Sequence, residues 1–562
     1  MPSVRAALQQ LEAATQYLST VFSSKYSSRQ LVLRYGLAGA AAYILTKFVV
    51  YRLWIHPTNR LPGPPVDWIP FLGNMREIIR DEPGDPQRRW VKKYGKLVGY
   101  HGPWYSNRVL VADPALIKQI LTMEEYDFIK SPDTARFLRP VLGDGILLAE
   151  GAAHRHQRKM LNPAFSVQAT RGLVPVMAVP AIHLCRRWMS ELGANGPTEI
   201  QVSVGLSMAT LDVIGMAGFG QEFRSVLDHD KPEALHTLGG QLSHAYRDIF
   251  YGPVSFMRML SLFVPPLREL PITKRNRELQ RDLDMLRHTT GQLVQLARKR
   301  LQTQEKMSPV SRDLLTLMIN QVDEETGEGM TDRELEDQCL TFLAAGHETT
   351  SVSLSWTLWL LAKHPEIQDA LRDEVKPLFG NMNTDHPIFA NFLDAVNQSS
   401  VDECVKEANI PSHDAINGLK RLNNICKESM RLYPPVPMTS RWTLKKESVL
   451  DTVALPQGTR LFLSPMVLHH DPDIWGEDVE TFRPDRWEEA PANAISPYIY
   501  MPFLAGGRQC IGNRFAMMEM KVLLAILIST FRFHEKPGFE PKRRQMVTLR
   551  PVPYMALMVE KL

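Results

Sequence analysis

The 562-residue chain has no C-x-x-C pair, no internal repeat, no low-complexity tract and almost no net charge. Its five cysteines, Cys185, Cys339, Cys404, Cys426 and Cys510, are an odd number at wide intervals. That spacing excludes a disulfide framework and a structural zinc site, and points to a reducing compartment for the main body. With 65 basic and 61 acidic side chains the formal charge is only +4, too even a balance for a protein that coats nucleic acid. No G-x-G-x-x-G segment follows a strand pattern, so the chain offers no dinucleotide site of its own. The sequon at Asn397 would be used only in a lumen and is read as a chance match. A hydrophobic content of 44% excludes dominant disorder. Proline is plentiful, at 40 residues, and predicts many abrupt helix ends.

One long apolar run stands out. Residues 35–46 (YGLAGAAAYILT) are uninterrupted, and the run extends through FVVYRLW if Lys47 turns its ammonium to an interface. Between Arg34 and Arg52 lie 17 residues, the low end of the ~17–25 that span a bilayer. The expected organisation is a polar, amphipathic segment over 1–30, a membrane anchor over 31–54, a proline-rich hinge over 55–65 and one large domain over 66–562. A buried or interfacial helix is the alternative for the anchor. Residues 6–22 have apolar positions that could lie on a membrane surface. Basic residues flank both ends of the run and leave its orientation open. In the hinge, Leu61-Pro62-Gly63-Pro64-Pro65 forbids helix and makes a semi-rigid spacer. Beyond it, short β-branched runs are few and long periodic stretches many, so the body is mainly α with a minor β-sheet region.

Thr331 and Glu334 form a capping box, and the helical pattern that follows runs to Lys363 before Pro365. At 1.5 Å per residue such a helix is ~45–50 Å long and crosses a domain. In its middle lies Ala344-Ala345-Gly346-His347-Glu348-Thr349-Thr350. Glycine and two threonines weaken the helix there, which predicts a local widening. Gly346 and Thr349 share a face. The segment is either a contact through small residues, with Glu348 in a buried salt bridge, or a dent for a small ligand beside groups that deliver protons.

The stretch Phe503-Leu504-Ala505-Gly506-Gly507-Arg508-Gln509-Cys510-Ile511-Gly512 precedes a helical apolar pattern over 513–531. Cys510 thus lies at a helix start, where main-chain donors and the dipole favour thiolate. The glycines permit a tight turn, and Arg508 is placed to meet an anion. A single donating thiolate suits haem iron.

This stretch resembles, position for position, the F-x-x-G-x-R-x-C-x-G signature of the cytochrome P-450 superfamily, the haem-thiolate monooxygenases, in their microsomal, membrane-anchored, fungal-like form. The resemblance implies the cytochrome P-450 fold and haem b (iron protoporphyrin IX) with Cys510 as axial ligand, in a loop that includes Phe503 and Gly506. It casts Glu348 and Thr349, in an A-G-x-[DE]-T-T motif, as the proton-delivering acid and alcohol. Glu428-Ser429-Met430-Arg431 is similar to the family's E-x-x-R, and Phe482-Arg483-Pro484-Asp485-Arg486 to its F-x-P-x-R element, which implies a buried network of Glu428, Arg431 and Arg486 bracing the cysteine loop. Exposed, an i,i+3 pair would contribute a few tenths of a kcal/mol; buried, losing a partner would cost roughly 3–5 kcal/mol. Arg441, Arg508 and Arg158 are candidates for the haem propionates. His154 stands where the family's W-x-x-x-R helix has tryptophan, and either donates to a propionate or is solvated.

The implied reaction inserts one atom of O2 into a hydrophobic small molecule, by hydroxylation or epoxidation, in secondary metabolism such as terpenoid biosynthesis. Fatty-acid or sterol hydroxylation is an alternative, as are a haem-thiolate isomerase or dehydratase and a non-enzymatic haem sensor. Electrons come from NADPH through a partner flavoprotein reductase, with Lys521 and Arg514 as candidate docking points. The implied location is the endoplasmic reticulum membrane with the catalytic domain cytoplasmic. Partners are that reductase, membrane lipid and the substrate, with no nucleic acid. Segments 137–142, 250–263 and 436–439 would line an apolar pocket, with Phe256, Met257 and Leu260 alternatively set against the membrane. Segment 380–417 is longer than the family usually shows and has no assigned role.

Overall fold

A computed structural model describes residues 28–193, 196–229, 236–251, 274–303, 313–323, 325–379, 410–489 and 495–562. The surface segment 6–22, Asn397, Cys404 and most of 250–263 and 380–417 lie outside the described residues.

Helix α1 (Ser28–Leu45) continues without a break into a π-helical stretch, Thr46–Ile55. Tyr35–Arg60 is apolar and long enough to cross a membrane, and Leu37, Tyr43, Leu45, Trp54 and Ile55 are all exposed. The hinge then lies down on the body. Gly99 N donates to Pro62 O at 3.0 Å, and a Cβ on Gly63 would sit 1.8 Å from Gly99 O. Only glycine permits that approach.

The strands are short. β1 (Leu97–His101), β2 (Asn107–Val111), β3 (Phe128–Lys130), β5 (Thr439–Thr443) and β8 (Arg460–Leu463) form one sheet in the order β1-β2-β8-β5-β3. β2 and β8 are parallel and the other pairs antiparallel. The β3–β5 register sets Lys130 opposite Arg441. β4 (Thr198–Ile200), β9 (Phe531–His534) and β12 (Leu557–Lys561) make a second sheet, while β6 (Glu447–Leu450) pairs with β7 (Val453–Pro456) and β10 (Lys542–Gln545) with β11 (Leu549–Val552).

Helices supply most of the body: α2 (Pro132–Leu142), α3 (Gly151–Leu161), α4 (Val174–Glu191), α5 (Val202–Val213), α6 (Leu238–Tyr251), α7 (Lys274–Gln302), α8 (Asp332–Lys363), α9 (Pro365–Phe379), α10 (Lys420–Leu432) and α11 (Asn513–Thr530). α8 is the axle. Its 32 residues are mostly buried, with α2, α5, α7, α10 and α11 packed around it. The capping box is made as expected: Thr331 N donates to Glu334 Oε2 at 2.9 Å and Glu334 N to Thr331 Oγ1 at 3.3 Å. The expected widening is absent. Residues 344–350 stay α-helical, because the Thr349 and Thr350 hydroxyls donate to the i−4 carbonyls of Ala345 (2.8 Å) and Gly346 (3.2 Å) without displacing the helical ladder. Gly346 serves close packing, since a Cβ there would lie 3.1 Å from the Ile214 side chain.

Candidate functional site

Cys510 sits two residues before the N-cap of α11, Gly512, in a loop held tightly from both sides. Cys510 N donates to Phe503 O at 2.9 Å and Gln509 N to Gly506 O at 3.0 Å. Gly506 has φ +76°, and a Cβ on it would lie 1.9 Å from Leu121 O, so that position requires glycine. Arg158 Nη1 reaches across from α3 to Gln509 O at 2.6 Å. Cys510 is exposed, yet its surroundings desolvate the sulfur. Burial pushes the thiol up, against the Gly512 N–H and the Arg158 guanidinium, which pull it down. The Gly512 N–H is the main-chain donor expected at a helix start, and burial outweighs it.

Beside the loop lies an unbalanced cluster of cations. Arg508, Arg441, Arg158 and His154 come together as expected, joined by a residue that sequence reasoning missed, Lys130. The carboxylate among them is Glu150, which accepts Lys130 N at 2.8 Å and pairs with Arg508 Nη2. Lys130 Nζ donates to Ala149 O at 2.8 Å and Ile146 O at 3.1 Å. Burial and then the surrounding arginines, against Glu150, press its amine down to about 7. Arg441 is buried and pushed down to about 10 by burial and then Arg508. The buried Nε atoms of Arg441 and Arg508 have no hydrogen-bond partner. His154 is buried, not solvated. Its Nδ1 is 3.2 Å from Tyr126 Oη, and burial, reinforced by Lys130 and the arginines, holds it near 4, hence neutral.

Glu428, Arg431 and Arg486 form a second cluster, with every charge answered. Arg431 Nη2 and Nε bind Glu428 Oε1 and Oε2 at 2.8 and 3.0 Å, and Arg486 Nε binds Oε1 at 3.2 Å. Arg486 also pairs with Asp478 at 2.8 Å. Arg431 Nη1 donates to His469 O (2.8 Å) and Val479 O (2.7 Å). His469 Nε2 in turn accepts Met501 N at 3.0 Å, which ties the network to the strand of chain entering the cysteine loop.

On α8, Glu348 is turned to β11. Arg550 Nη2 lies 2.6 Å from its Oε1, and Thr548 Oγ1 donates to the same atom at 2.8 Å. Thr349 is half-buried on a different face. A cavity of about 230 Å³ adjoins Arg550 and is lined also by Phe250, Met546 and Tyr554. Of the two docking candidates Arg514 is exposed; Lys521 is buried, its Nζ donating to Asn417 Oδ1 at 2.8 Å. Lys521 is therefore withdrawn as a surface contact, because the apolar periodicity of α11 carries it inward.

The chain matches the family model for cytochrome P450 over residues 62–392 and 393–558; the interruption falls within the long segment 380–417. Cytochrome P450 monooxygenase 205 of Postia placenta is 32% identical over 554 residues, covering 93% of this chain and 95% of that protein. Cytochrome P450 monooxygenase sphH of Aspergillus fumigatus is 31% identical over 544 residues, covering 94% and 92%. Cytochrome P450 72A397 of Kalopanax septemlobus is 31% identical over 481 residues, covering 84% and 82%. The family's cofactor is haem held by a cysteine thiolate, and the residues present fit it. The loop cannot carry a side chain at Gly506, its cysteine sulfur is left accessible, and buried guanidinium atoms without partners lie on neighbouring residues.

Proposed function

The chain belongs to the cytochrome P450 family, and on that premise we propose that it is a membrane-anchored haem-thiolate monooxygenase acting on an apolar small molecule. Residues 31–54 anchor the body at 66–562, on the cytoplasmic face of the endoplasmic reticulum, and NADPH supplies electrons through a separate flavoprotein reductase. The balanced reaction is RH + O2 + NADPH + H⁺ → ROH + H2O + NADP⁺. Bound at Cys510, haem supplies the activation of dioxygen and the oxygen insertion. The Gly512 N–H and Arg158 stabilise negative charge on the sulfur. Arg158, Arg441 and Arg508 receive the propionates, with Lys130 and neutral His154 as further donors. Thr349 holds a proton at Oγ1 and Glu348 exchanges one at its carboxyl, while the Glu428 network keeps the loop in register. The isomerase and sensor readings have no use for that acid and alcohol.

The observation that carries this reading is the surplus of buried cations beside the loop sulfur, which calls for a dianionic ligand. Its test is reconstitution with reductase and NADPH after screening lipophilic compounds for a haem spin-state shift. Product formation coupled to NADPH use is expected, and Thr349→Ala should uncouple the two by about tenfold or more. Spin shifts with no NADPH-dependent product would favour the sensor. Our preference within the apolar class is a terpenoid or other secondary metabolite, with fatty acids and sterols in the same screen.

A further inference from the structure

Glu348 does not stand free in the site. Arg550 Nη2 forms an ion pair with its Oε1 at 2.6 Å, Thr548 Oγ1 donates to the same oxygen at 2.8 Å, and Arg550 Nε donates to Thr548 Oγ1 at 3.0 Å. Glu348 and Arg550 are 3% and 2% exposed. Such a pair contributes little to stability by itself, because apolar residues of equal volume often do as well. Its position is the informative feature. The guanidinium lies 4.9 Å from the Phe250 ring and lines the cavity of about 230 Å³ with Phe250, Met546 and Tyr554, while Thr349 follows Glu348 directly on α8. Successive residues on a helix diverge by ~100°, so the strand-side donors decide where the carboxyl is held relative to the hydroxyl.

We propose that Arg550, aided by Thr548, is the positioning residue of proton delivery: it holds the Glu348 carboxyl in place and stabilises its anion, so that the group can release a proton and take one up again. The proposal rests on the reading of Glu348 as a proton donor. A relay group has to exist in both protonation states, and a buried carboxylate needs a fixed counter-charge beside it. Other titratable groups close to it are His347, whose buried ring is held below its usual range, and Tyr554, held above it. Neither can replace a guanidinium as counter-charge.

The test uses the full-length, haem-loaded protein with reductase and NADPH but no organic substrate, where dioxygen is reduced to peroxide or water and every turnover consumes protons. NADPH oxidation and its H2O/D2O isotope effect are read for Glu348→Gln, Arg550→Gln, Arg550→Lys, Thr548→Val and the double variant Glu348→Gln/Arg550→Gln. Retention of the reduced carbon-monoxide band is the folding control. The expected results are losses of at least about tenfold with a larger isotope effect for Glu348→Gln and for Arg550→Gln, a double variant no slower than Glu348→Gln, and recovery to within about threefold in Arg550→Lys. Thr548→Val should lose about two- to fivefold, and it carries the test if Arg550→Gln does not load haem. Arg550→Gln within twofold of the parent, or additive losses in the double variant, would overturn the proposal while leaving Glu348 as donor. Glu348→Gln within twofold would overturn the donor reading itself, and the proposal with it.

Discussion

Two buried charge clusters flank the cysteine loop, and they are built on opposite principles. Around Glu428, the charges of Arg431 and Arg486 are met by Glu428 and Asp478, and main-chain carbonyls take the remaining N–H groups. Around Glu150, Lys130, Arg158, Arg441 and Arg508 outnumber the carboxylates beside them among the described residues, Glu150 and, on the Gly507 N–H, Glu125, and two guanidinium Nε atoms are left without partners. A balanced cluster is complete as protein. An unbalanced one is what an anionic ligand would complete, and that difference is the ground for reading one as a brace and proposing the other as a binding site.

The comparison is broken most forcefully at its balanced half. Glu428→Ala leaves two buried guanidinium groups uncompensated and should lower stability by roughly 3–5 kcal/mol, read as a large fall in thermal midpoint whether or not haem is bound. In the unbalanced half, Lys130 is predicted to give the haem-free protein a pH dependence. Its folded value near 7 lies below the ordinary 10.5, so the folded chain binds fewer protons than the unfolded chain between those limits. Stability therefore rises with pH from about 7 to 10.5, by at most about 5 kcal/mol, and the cost of the charge is fully present below 7. Lys130→Met should flatten that slope in denaturant titrations. Arg441→Met should speed haem loss about tenfold, or about 1.4 kcal/mol, while leaving the haem-free thermal midpoint unchanged or higher. The same substitution lowering both would make the second cluster a brace like the first. The smallest effect is expected at the rim of the balanced cluster, where Asp478, 42% exposed, should cost about 0.5 kcal/mol as Asp478→Asn.

What the sequence disclosed divides along the same line. The bounds of α8, the i,i+3 pair Glu428–Arg431 and the cysteine loop follow from local spacing, which survives whatever the tertiary fold does. Lys130 was missed because its strand is three residues long and its role depends on lying across from Arg441, more than 300 residues later. Arg550 was missed for the same reason: nothing near Glu348 in the chain names its partner. The misplacement of Lys521 came from weighing its charge over the apolar period of α11. The widening forecast for 344–350 took threonine hydroxyls as competitors of the helical ladder when here they add to it.

The central claim is that Cys510 supplies a thiolate to haem iron beside the unbalanced cluster, and the reduced carbon-monoxide spectrum tests it most directly. The full-length protein loaded with haem should give the red-shifted band of thiolate ligation, and Cys510→Ser should abolish it. A band that persists unchanged in Cys510→Ser would contradict the account.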